Sequence, residues 1–177
     1  MRIIRISALA GVGVMMFSLV GCATAVPEAV AVLYPTQGQA VRGVVTFSQQ
    51  KGGVRIVADV TGLTPDAKHA FHIHQFGDAR DAHGKSAGGH YNPSDSKHDR
   101  PEAVERHAGD LGNLRADNHG KAHYDRVDNR ITISGFRNRI LGRGVIVHAG
   151  EDQFTGASGN AGSRVAIGVI GIAQSSQ

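Results

Sequence analysis

Short stretches of alternating apolar and polar residues, bounded by glycine and proline, constrain the fold of this chain most strongly. Between residues 53 and 60 every even position is apolar, a period of two that is typical of a half-buried β-strand. Related stretches lie at 30–34, 41–49, 68–76, 112–116, 120–124, 131–134, 144–148 and 165–173. We find no convincing helical periodicity. The pattern predicts an all-β domain of about eight antiparallel strands, a barrel or a sandwich.

Two longer segments interrupt this pattern. Residues 84–112 and 150–163 are rich in glycine and polar residues and show no sustained periodicity. Loops of this length are uncommon in a compact domain unless they are functional or something holds them. A shorter turn at Asp117 to Gly120 predicts a hairpin between two of the strands.

The first 21 residues resemble an export signal. Arg2 and Arg5 precede the apolar stretch Ile6 to Val20, which is short for a membrane span. Leu19-Val20-Gly21-Cys22 resembles a bacterial lipobox, in which the cysteine is lipidated and the chain is cut before it; a plain signal cut near Ala23 to Ala25 is the alternative. We expect an exported lipoprotein on a periplasm-facing or cell-surface membrane, anchored through Cys22.

The remaining chain suits one compact domain. We expect residues 22–29 to form a tether and residues 30–177 the folded domain. Loss of residues 1–21 removes two of 19 basic residues and none of the 15 acidic ones, which leaves the charge nearly balanced. Without a basic run or an aromatic platform, a nucleic-acid partner is not expected. Cys22 is the only cysteine, so an intrachain disulfide is excluded.

Histidines cluster in the middle of the chain. His72 and His74 share one face of a predicted strand, while Phe71 and Ile73 point to the other face. Within the next 36 residues follow His90, His98, His107 and Asp110, and His148 is a further candidate. Imidazole suits copper and zinc, and a mixed set of histidine and carboxylate is typical of zinc. Scattered surface histidines are the alternative, which the spacing disfavours.

These segments carry a family resemblance. The chain resembles the copper/zinc superoxide dismutases of the bacterial exported type from about residue 30 to residue 173. The matching segments are Phe71-His-Ile-His-Gln-Phe-Gly-Asp78, Ser86-Ala-Gly-Gly-His-Tyr-Asn-Pro93, Arg106-His-Ala-Gly-Asp-Leu-Gly-Asn113, Val147-His148, Gly159-Asn-Ala-Gly-Ser-Arg164 and Gly168-Val-Ile-Gly-Ile-Ala173. The resemblance implies an eight-stranded Greek-key antiparallel β-barrel with two long functional loops.

The resemblance also implies a site. Copper would be bound by His72, His74, His90 and His148, and zinc by His90, His98, His107 and Asp110, so that His90 bridges the two metals. Copper would dismutate superoxide to dioxygen and hydrogen peroxide, with His90 coupling a proton to the electron. Zinc would fix the loop that carries its ligands.

Two further residues receive roles from the resemblance. Arg164 would attract and orient the superoxide anion; an ordinary surface arginine is the alternative. Asp152 would join a copper-ligand histidine to a zinc-ligand histidine and so fix their orientation. For His69, His83, His119 and His123 we expect solvated positions without a role; His69 would be exposed or at an edge.

The chain departs from the family in two respects. The family ties its zinc-side loop to the last strand through a disulfide, at positions that here are Gly84 and Ile167. We expect packing of Ile167 and zinc binding to offset this loss, which leaves the metal-free form more labile. The segment 149–163 is short and contains no lysine, so we expect weaker long-range steering of superoxide and rates nearly independent of salt.

The sequence is compatible with three functions. The first is a lipid-anchored copper/zinc superoxide dismutase. The second is a module that binds or delivers copper or zinc without turnover, and the third is a structural barrel with vestigial sites. The full ligand set disfavours the third, and Arg164 favours the enzyme, because storage of a metal requires no arginine for a substrate. Either a monomer or a homodimer is compatible with the sequence.

Overall fold

The strands of the barrel account for most of the ordered secondary structure. The computed structural model describes residues 26–174. Its strands are β1 (Glu28–Pro35), β2 (Arg42–Gln50), β3 (Gly53–Thr61), β4 (Lys68–His74), β5 (Asp110–Arg115), β6 (Ala122–Asp128), β7 (Gly144–His148), β8 (Arg164–Val169) and β9 (Gly171–Ile172). A single 3-10 turn at Lys85–Ala87 is the one helical element of the described part. The prediction of an all-β chain is confirmed.

The strands form one antiparallel sheet that curls into a nearly closed barrel. Neighbours in the sheet follow the order β5-β4-β7-β8-β1-β2-β3-β6, and β9 adds to the start of β1. β3 and β4 are consecutive in the chain but not adjacent in the sheet, and the same holds for β6 and β7. These two crossing connections are of the Greek-key kind. The eight-stranded Greek-key barrel expected from the resemblance is therefore confirmed.

The core lies inside this curled sheet. Alternate residues of β1, β2 and β3 point inward, as Leu33, Phe47 and Ile56 show, each with no more than 1% of its surface exposed. On β4, Phe71 and Ile73 are fully buried in the same core, so His72 and His74 project to the outer face of the barrel. The predicted division of β4 into an apolar and a histidine face is confirmed.

The boundaries of two predicted elements need correction. β1 begins at Glu28, so Glu28 and Ala29, expected at the end of the tether, pair with β2. The turn at Asp117 to Gly120 is present, but its flanking strands do not form a hairpin: β5 pairs with β4, and β6 pairs with β3. The turn instead bonds to the connection between β3 and β4, where the amide of Leu63 donates to the carbonyl of Gly120.

The predicted strand at 131–134 does not form. Ile131 and Ile133 are buried as the alternation predicts, but this segment makes only an isolated parallel bridge between Thr132 and Arg139. The amide of Thr132 donates to the carbonyl of Asn138 in the same loop, and the amide of Ile133 donates to Oε1 of Gln49. The segment is therefore held by its own loop and by a side chain rather than by a ladder with another strand.

The last predicted strand, 165–173, is divided in two. Ile170 is buried, and its amide donates to the carbonyl of Arg143 rather than to a strand partner. β8 therefore pairs with the end of β1, and β9 with its start.

Two long loops lie over the outer face of β4. The first runs from residue 75 to 109 and the second from 149 to 163. The first is held against β4 by backbone bonds, in which Ile73 donates to the carbonyl of Gly109 and accepts from the amide of Tyr91. A Cβ atom on Gly109 would collide with the carbonyl oxygen of Ile73, so glycine is required for this approach. The contact brings His90 and Asp110 beside the histidines of β4.

A small apolar cluster stands where the resemblance places the disulfide. Ile167 packs with Ile146 and Ala87 in a buried group separate from the main core. A Cβ atom on Gly84 would lie 3.8 Å from Cδ1 of Ile146, in ordinary contact. The loop is therefore joined to β7 and β8 at this point by apolar contact.

Candidate metal centre

All seven predicted metal ligands converge on one region under the two loops. The strands contribute His72 and His74 from β4 and His148 from the end of β7. Asp110 begins β5, and the first loop supplies the others, His90, His98 and His107. Each of the seven is at least 93% buried. Two sets of four, sharing His90, each offer ligand atoms that lie within 4.8 Å of one another.

The first set consists of four imidazoles. Nε2 of His74 and Nε2 of His148 are 3.4 Å apart. The opposite nitrogens of these two rings donate to backbone carbonyls: Nδ1 of His74 to Gly88 at 2.9 Å, and Nδ1 of His148 to Gly162 at 3.2 Å. Each bond fixes the ring so that Nε2 faces the centre without a proton, which is the form that ligates a metal.

His72 and His90 complete this set with their unbonded nitrogens. Nε2 of His72 bonds to Oδ2 of Asp152 at 2.8 Å, and its Nδ1 is buried without a hydrogen-bond partner. Nε2 of His90 is also buried without one. Buried nitrogens are rarely left without a partner, and here they point to a ligand that they would share. The donor set therefore fits a metal ion.

The second set joins three imidazoles to one carboxylate. Oδ1 of Asp110 lies 3.0 Å from Nδ1 of His90, 2.9 Å from Nδ1 of His98 and 3.1 Å from Nδ1 of His107. The other oxygen, Oδ2, accepts from the amides of Asp99 and His107, which orients the carboxylate. Four protein ligands of this kind, which leave no open coordination position, fit a tetrahedral zinc ion.

His90 faces both sets with different atoms. Its Nδ1 approaches Asp110 and His107, whereas Nε2 is left for the set of four imidazoles. Its ring centroid lies 3.9 Å from that of His72 and 5.1 Å from that of His98. One imidazole can therefore connect two metal positions.

Asp152 links the two sets from behind. Its Oδ2 bonds to Nε2 of His72 and its Oδ1 to Nε2 of His98, both at 2.8 Å. Burial would raise the pKa of this carboxyl, but the bonds from His72 and His98 hold that pKa well below its usual range. Asn113 holds the backbone of Asp152 in two hydrogen bonds. The carboxylate thus stays charged and fixes the tautomer of both rings.

His98 differs from the four imidazoles of the first set in its affinity for protons. Burial lowers the pKa of His90 to about 4 and that of His148 to about 3, and it also lowers the pKa of His72 and His74. Burial acts in the same direction on His98, but contacts with Asp110 and Asp152 raise the pKa of His98 to about 9. These pKa values favour neutral imidazoles in the first set at pH 7 and a positively charged, doubly protonated ring at His98 in the absence of a metal.

Arg164 lies at the mouth of the site. Its guanidinium donates to the backbone carbonyls of Gly84 and Gly88, and burial lowers its pKa. It lines a cavity of about 480 Å³ together with Thr36, His83 and Lys85, among others. Arg164 also lies beside the first set, because it faces His148 in the pairing of β7 with β8 and shares the carbonyl of Gly88 with Nδ1 of His74.

The histidines without predicted roles divide into two groups. His83, His119 and His123 are exposed, as expected. The prediction for His69 is wrong: it is only 2% exposed, and its Nδ1 donates to the carbonyl of His148 at 2.9 Å. Its parity with Phe71 places it inward, and β5 and β7 cover β4 on both sides, so the strand start is not an open edge.

Sequence reasoning assigned no role to Arg106. It is 3% exposed and donates to Asp128 at 2.5 Å and to the carbonyls of Pro101, His107 and Asp110. It therefore braces the loop segment that carries two ligands of the second set. The only signal in the sequence is its place directly before His107.

Comparisons with known proteins agree with this geometry. Residues 41–170, more than half of the chain, match the family model described as copper/zinc superoxide dismutase. The chain belongs to this family. A superoxide dismutase [Cu-Zn] of Schizosaccharomyces pombe is 46% identical over 142 residues, 75% of this chain and 91% of the relative. One of Paramecium bursaria Chlorella virus 1 is 41% identical over 141 residues, 76% of this chain and 74% of the relative.

Membership of the family identifies the chain as an oxidoreductase with copper and zinc as its cofactors. The alternative of a module that only binds or delivers metal is not favoured by these relatives. Cys22 and the predicted signal segment lie outside the described residues. Within residues 26–174, no helix is long and apolar enough to cross a membrane.

Proposed function

We propose that this protein dismutates superoxide, converting two superoxide anions and two protons into dioxygen and hydrogen peroxide. Copper would be held by His72, His74, His90 and His148, and zinc by His90, His98, His107 and Asp110. The observation that carries the proposal is the pair of buried donor sets that share one imidazole. In four of the rings, the nitrogen that faces away from the centre is bonded to a carbonyl or a carboxylate, which leaves the other nitrogen for a metal. These rings belong to His72, His74, His98 and His148.

The donor types support this division of the metals. Four imidazoles are a good set for copper, and three imidazoles with a carboxylate are a good set for zinc. Bound copper supplies one-electron redox chemistry, and bound zinc supplies charge and a fixed geometry without redox chemistry.

Arg164 is proposed to bind and orient the superoxide anion. Two carbonyls fix its guanidinium at the wall of the cavity, so little side-chain entropy is lost when the anion arrives. Its positive charge raises the local concentration of a small anion. Lys85 lines the same cavity and adds to this charge.

His90 is proposed to hold and release a proton at Nε2. This atom is buried, has no hydrogen-bond partner within the protein, and faces the set that includes His72 and His74. Because Nδ1 of His90 stays beside Asp110, the ring keeps its position while Nε2 gains or loses the proton. The proton is thereby delivered next to the reduced oxygen species.

Superoxide dismutation by protein loaded with copper and zinc tests the proposal. We expect His148→Ala to abolish activity, and Arg164→Met to lower kcat/KM by about tenfold or more, with partial recovery in Arg164→Lys. The control Arg137→Met, on an exposed loop outside the site, should retain full activity. Absence of dismutation at full occupancy of both metals would leave metal binding without turnover as the function.

We also propose that the protein is exported and attached to a membrane by lipid on Cys22. The support is the sequence alone: Arg2 and Arg5, the apolar stretch from Ile6 to Val20, and the lipobox-like Leu19-Val20-Gly21-Cys22. Mass spectrometry of protein extracted from membranes should give a chain that begins at Cys22 and carries acyl groups. A Cys22→Ala variant released as a chain cut near Ala23 to Ala25 would indicate a plain secretory signal instead.

For the oligomeric state, we propose a homodimer over a monomer. Val32, Tyr34 and Val169 are 42% to 60% exposed and line one apolar depression beside β1 and β8. Sedimentation equilibrium of the purified protein distinguishes the two states. A Tyr34→Glu variant should shift a homodimer towards the monomer, and it should leave a monomer unchanged.

A further inference from the structure

The loop between β6 and β7 lies outside the metal centre and has an unusual surface. Phe136, directly after Gly135, is fully exposed at its tip. A single exposed aromatic residue needs no explanation by itself. The charges around Phe136 are what make this loop informative.

Phe136 lies in a stretch of the chain that is rich in arginine. Residues 129–147 contain four arginines and no aspartate or glutamate. Arg137 and Arg139 flank Asn138, whose side chain donates to the backbone carbonyl of Arg130 at 2.7 Å, so the two arms of the loop lie together. Among the described residues, the guanidinium groups of Arg130, Arg137 and Arg139 form no ion pair.

The acidic residue that precedes this loop in the chain is already paired. Asp128, the preceding acidic residue in the chain, is buried and paired with Arg106. A fully exposed aromatic ring among unpaired arginines matches the chemistry of the boundary between acyl chains and anionic headgroups.

The amino-terminal end of the described chain lies against the same loop. The amide of Val26 donates to Oγ of Ser134 at 3.0 Å, two residues before Phe136. Cys22 precedes Val26 by four residues, a span of at most about 14 Å of extended chain. A lipid on Cys22 would therefore enter its membrane close to Ser134.

We propose that residues 129–139, the docking loop, bind the anionic surface of the membrane in which the lipid on Cys22 is inserted. Phe136 enters the boundary between headgroups and acyl chains, and Arg130, Arg137 and Arg139 contact the headgroup phosphates. The inference rests on the proposed attachment at Cys22 for its choice of membrane. Each arginine near such a surface strengthens contact about fivefold.

Docking through this loop sets the direction in which the catalytic cavity opens. Val26 lies before the first residue of β1. Thr36, which lines the cavity with Arg164, lies directly after the last residue of that strand. The eight residues of β1 span about 26 Å. The cavity therefore lies at the end of β1 remote from the bilayer, away from the anionic headgroups that would repel superoxide.

Tryptophan fluorescence tests the docking, because the natural chain contains no tryptophan. The full chain carrying Phe136→Trp is purified from membranes and reconstituted into vesicles of phosphatidylcholine, with or without phosphatidylglycerol, containing brominated acyl chains. We expect quenching of the new fluorophore in the anionic vesicles. His119→Trp is the matched control at the opposite end of the barrel, on the exposed turn that bonds to Leu63 after β3, and it should not be quenched.

Neutralising the loop should remove the effect. Adding Arg137→Gln and Arg139→Gln to Phe136→Trp should reduce quenching to the level of the His119→Trp control. Equal quenching at positions 136 and 119 overturns the proposal. A blue shift of the tryptophan at position 136 that grows with protein concentration in the absence of vesicles also overturns it, since a second copy would then cover the loop.

Mass spectrometry of the same samples separates this inference from the proposed anchor. A chain without lipid whose tryptophan at position 136 is quenched supports docking and contradicts the anchor. A lipidated chain whose tryptophan is not quenched supports the anchor and contradicts docking.

Discussion

Replacement of Ile167 by alanine tests whether apolar packing stands in for the disulfide that the family resemblance places here. Ile167 is 6% exposed and contacts Ile146 of β7 and Ala87 of the first loop. The change removes three buried carbons, at about 0.8 kcal/mol each. A residual cavity of about 40 Å³ would add about 1 kcal/mol.

The expected loss in the free energy of unfolding is about 2–3 kcal/mol. The lower part of the range for buried isoleucine applies, because the cluster is small and an unfolded chain already buries part of its apolar surface. Urea unfolding of the metal-free protein, followed by circular dichroism, measures this loss as a lower midpoint at unchanged slope. Val127→Ala, on β6 and 46% exposed, is the control and should cost less than about 1 kcal/mol.

Zinc and reductant complete the test. Zinc at about 100 times its dissociation constant should stabilise both proteins by about 2.7 kcal/mol. A reductant that does not chelate metals should change nothing, since the only cysteine is Cys22. A loss below about 1 kcal/mol in Ile167→Ala, or stability of the wild type that does not depend on zinc, would refute the idea that packing and zinc together offset the missing disulfide.

Four further predictions concern the centre and its support. Because Asp110 and Asp152 raise the pKa of His98 to about 9, zinc binding at pH 7 should release about one proton. The affinity for zinc should therefore rise about tenfold per pH unit until about pH 9. Calorimetry in buffers of different ionisation enthalpy measures the released proton, and zinc binding without proton release would contradict the prediction. In the metal-free protein, the same raised pKa contributes stability below about pH 6.5 that is lost as pH rises through about 9, which urea midpoints across this range would detect. Asp152→Ala should weaken metal retention about 10- to 100-fold against a competing chelator, with a smaller loss in Asp152→Asn, because each of two ring nitrogens loses its partner. Arg106→Met should cost about 3–5 kcal/mol by leaving Asp128 charged and buried, and the double variant Arg106→Met, Asp128→Leu should recover part of it; additive losses in urea unfolding would show that the pair is not coupled.

The alternation of apolar and polar residues was enough to predict strands that lie between two other strands of the sheet. In β4, the period of two was enough to place Phe71 in the core and His72 and His74 outside it, because a strand inside a sheet has two fixed faces. The spacing of the ligands in the first loop predicted that they belong together. It could not predict which nitrogen of each ring faces the centre. That choice depends on hydrogen-bond partners such as the carbonyls of Gly88 and Gly162, whose positions are set by the geometry of the two loops.

The predictions that were wrong or missing concern residues whose environment is set by contacts with distant parts of the chain. Ile131 and Ile133 alternate as in a strand and are buried, yet the backbone of this segment bonds to its own loop and to the side chain of Gln49 instead of to a strand. The burial of His69 depends on coverage by β5 and β7, and the role of Arg106 depends on Asp128, 22 residues further on. Such long-range pairings leave no trace in the local pattern.

The two donor sets rest on different kinds of support, and this has a consequence for metal selection. Three donors of the first set, on β4 and β7, are fixed by a hydrogen-bonded ladder, whereas three of the second set lie in the first loop. Sites on strands hold their geometry more strictly than sites on loops. The first set should therefore reject ions whose preferred coordination differs from its own, while the second adjusts to them. A substitute ion with a visible spectrum, such as cobalt(II), should accordingly enter the loop-borne set first and report on the centre from there.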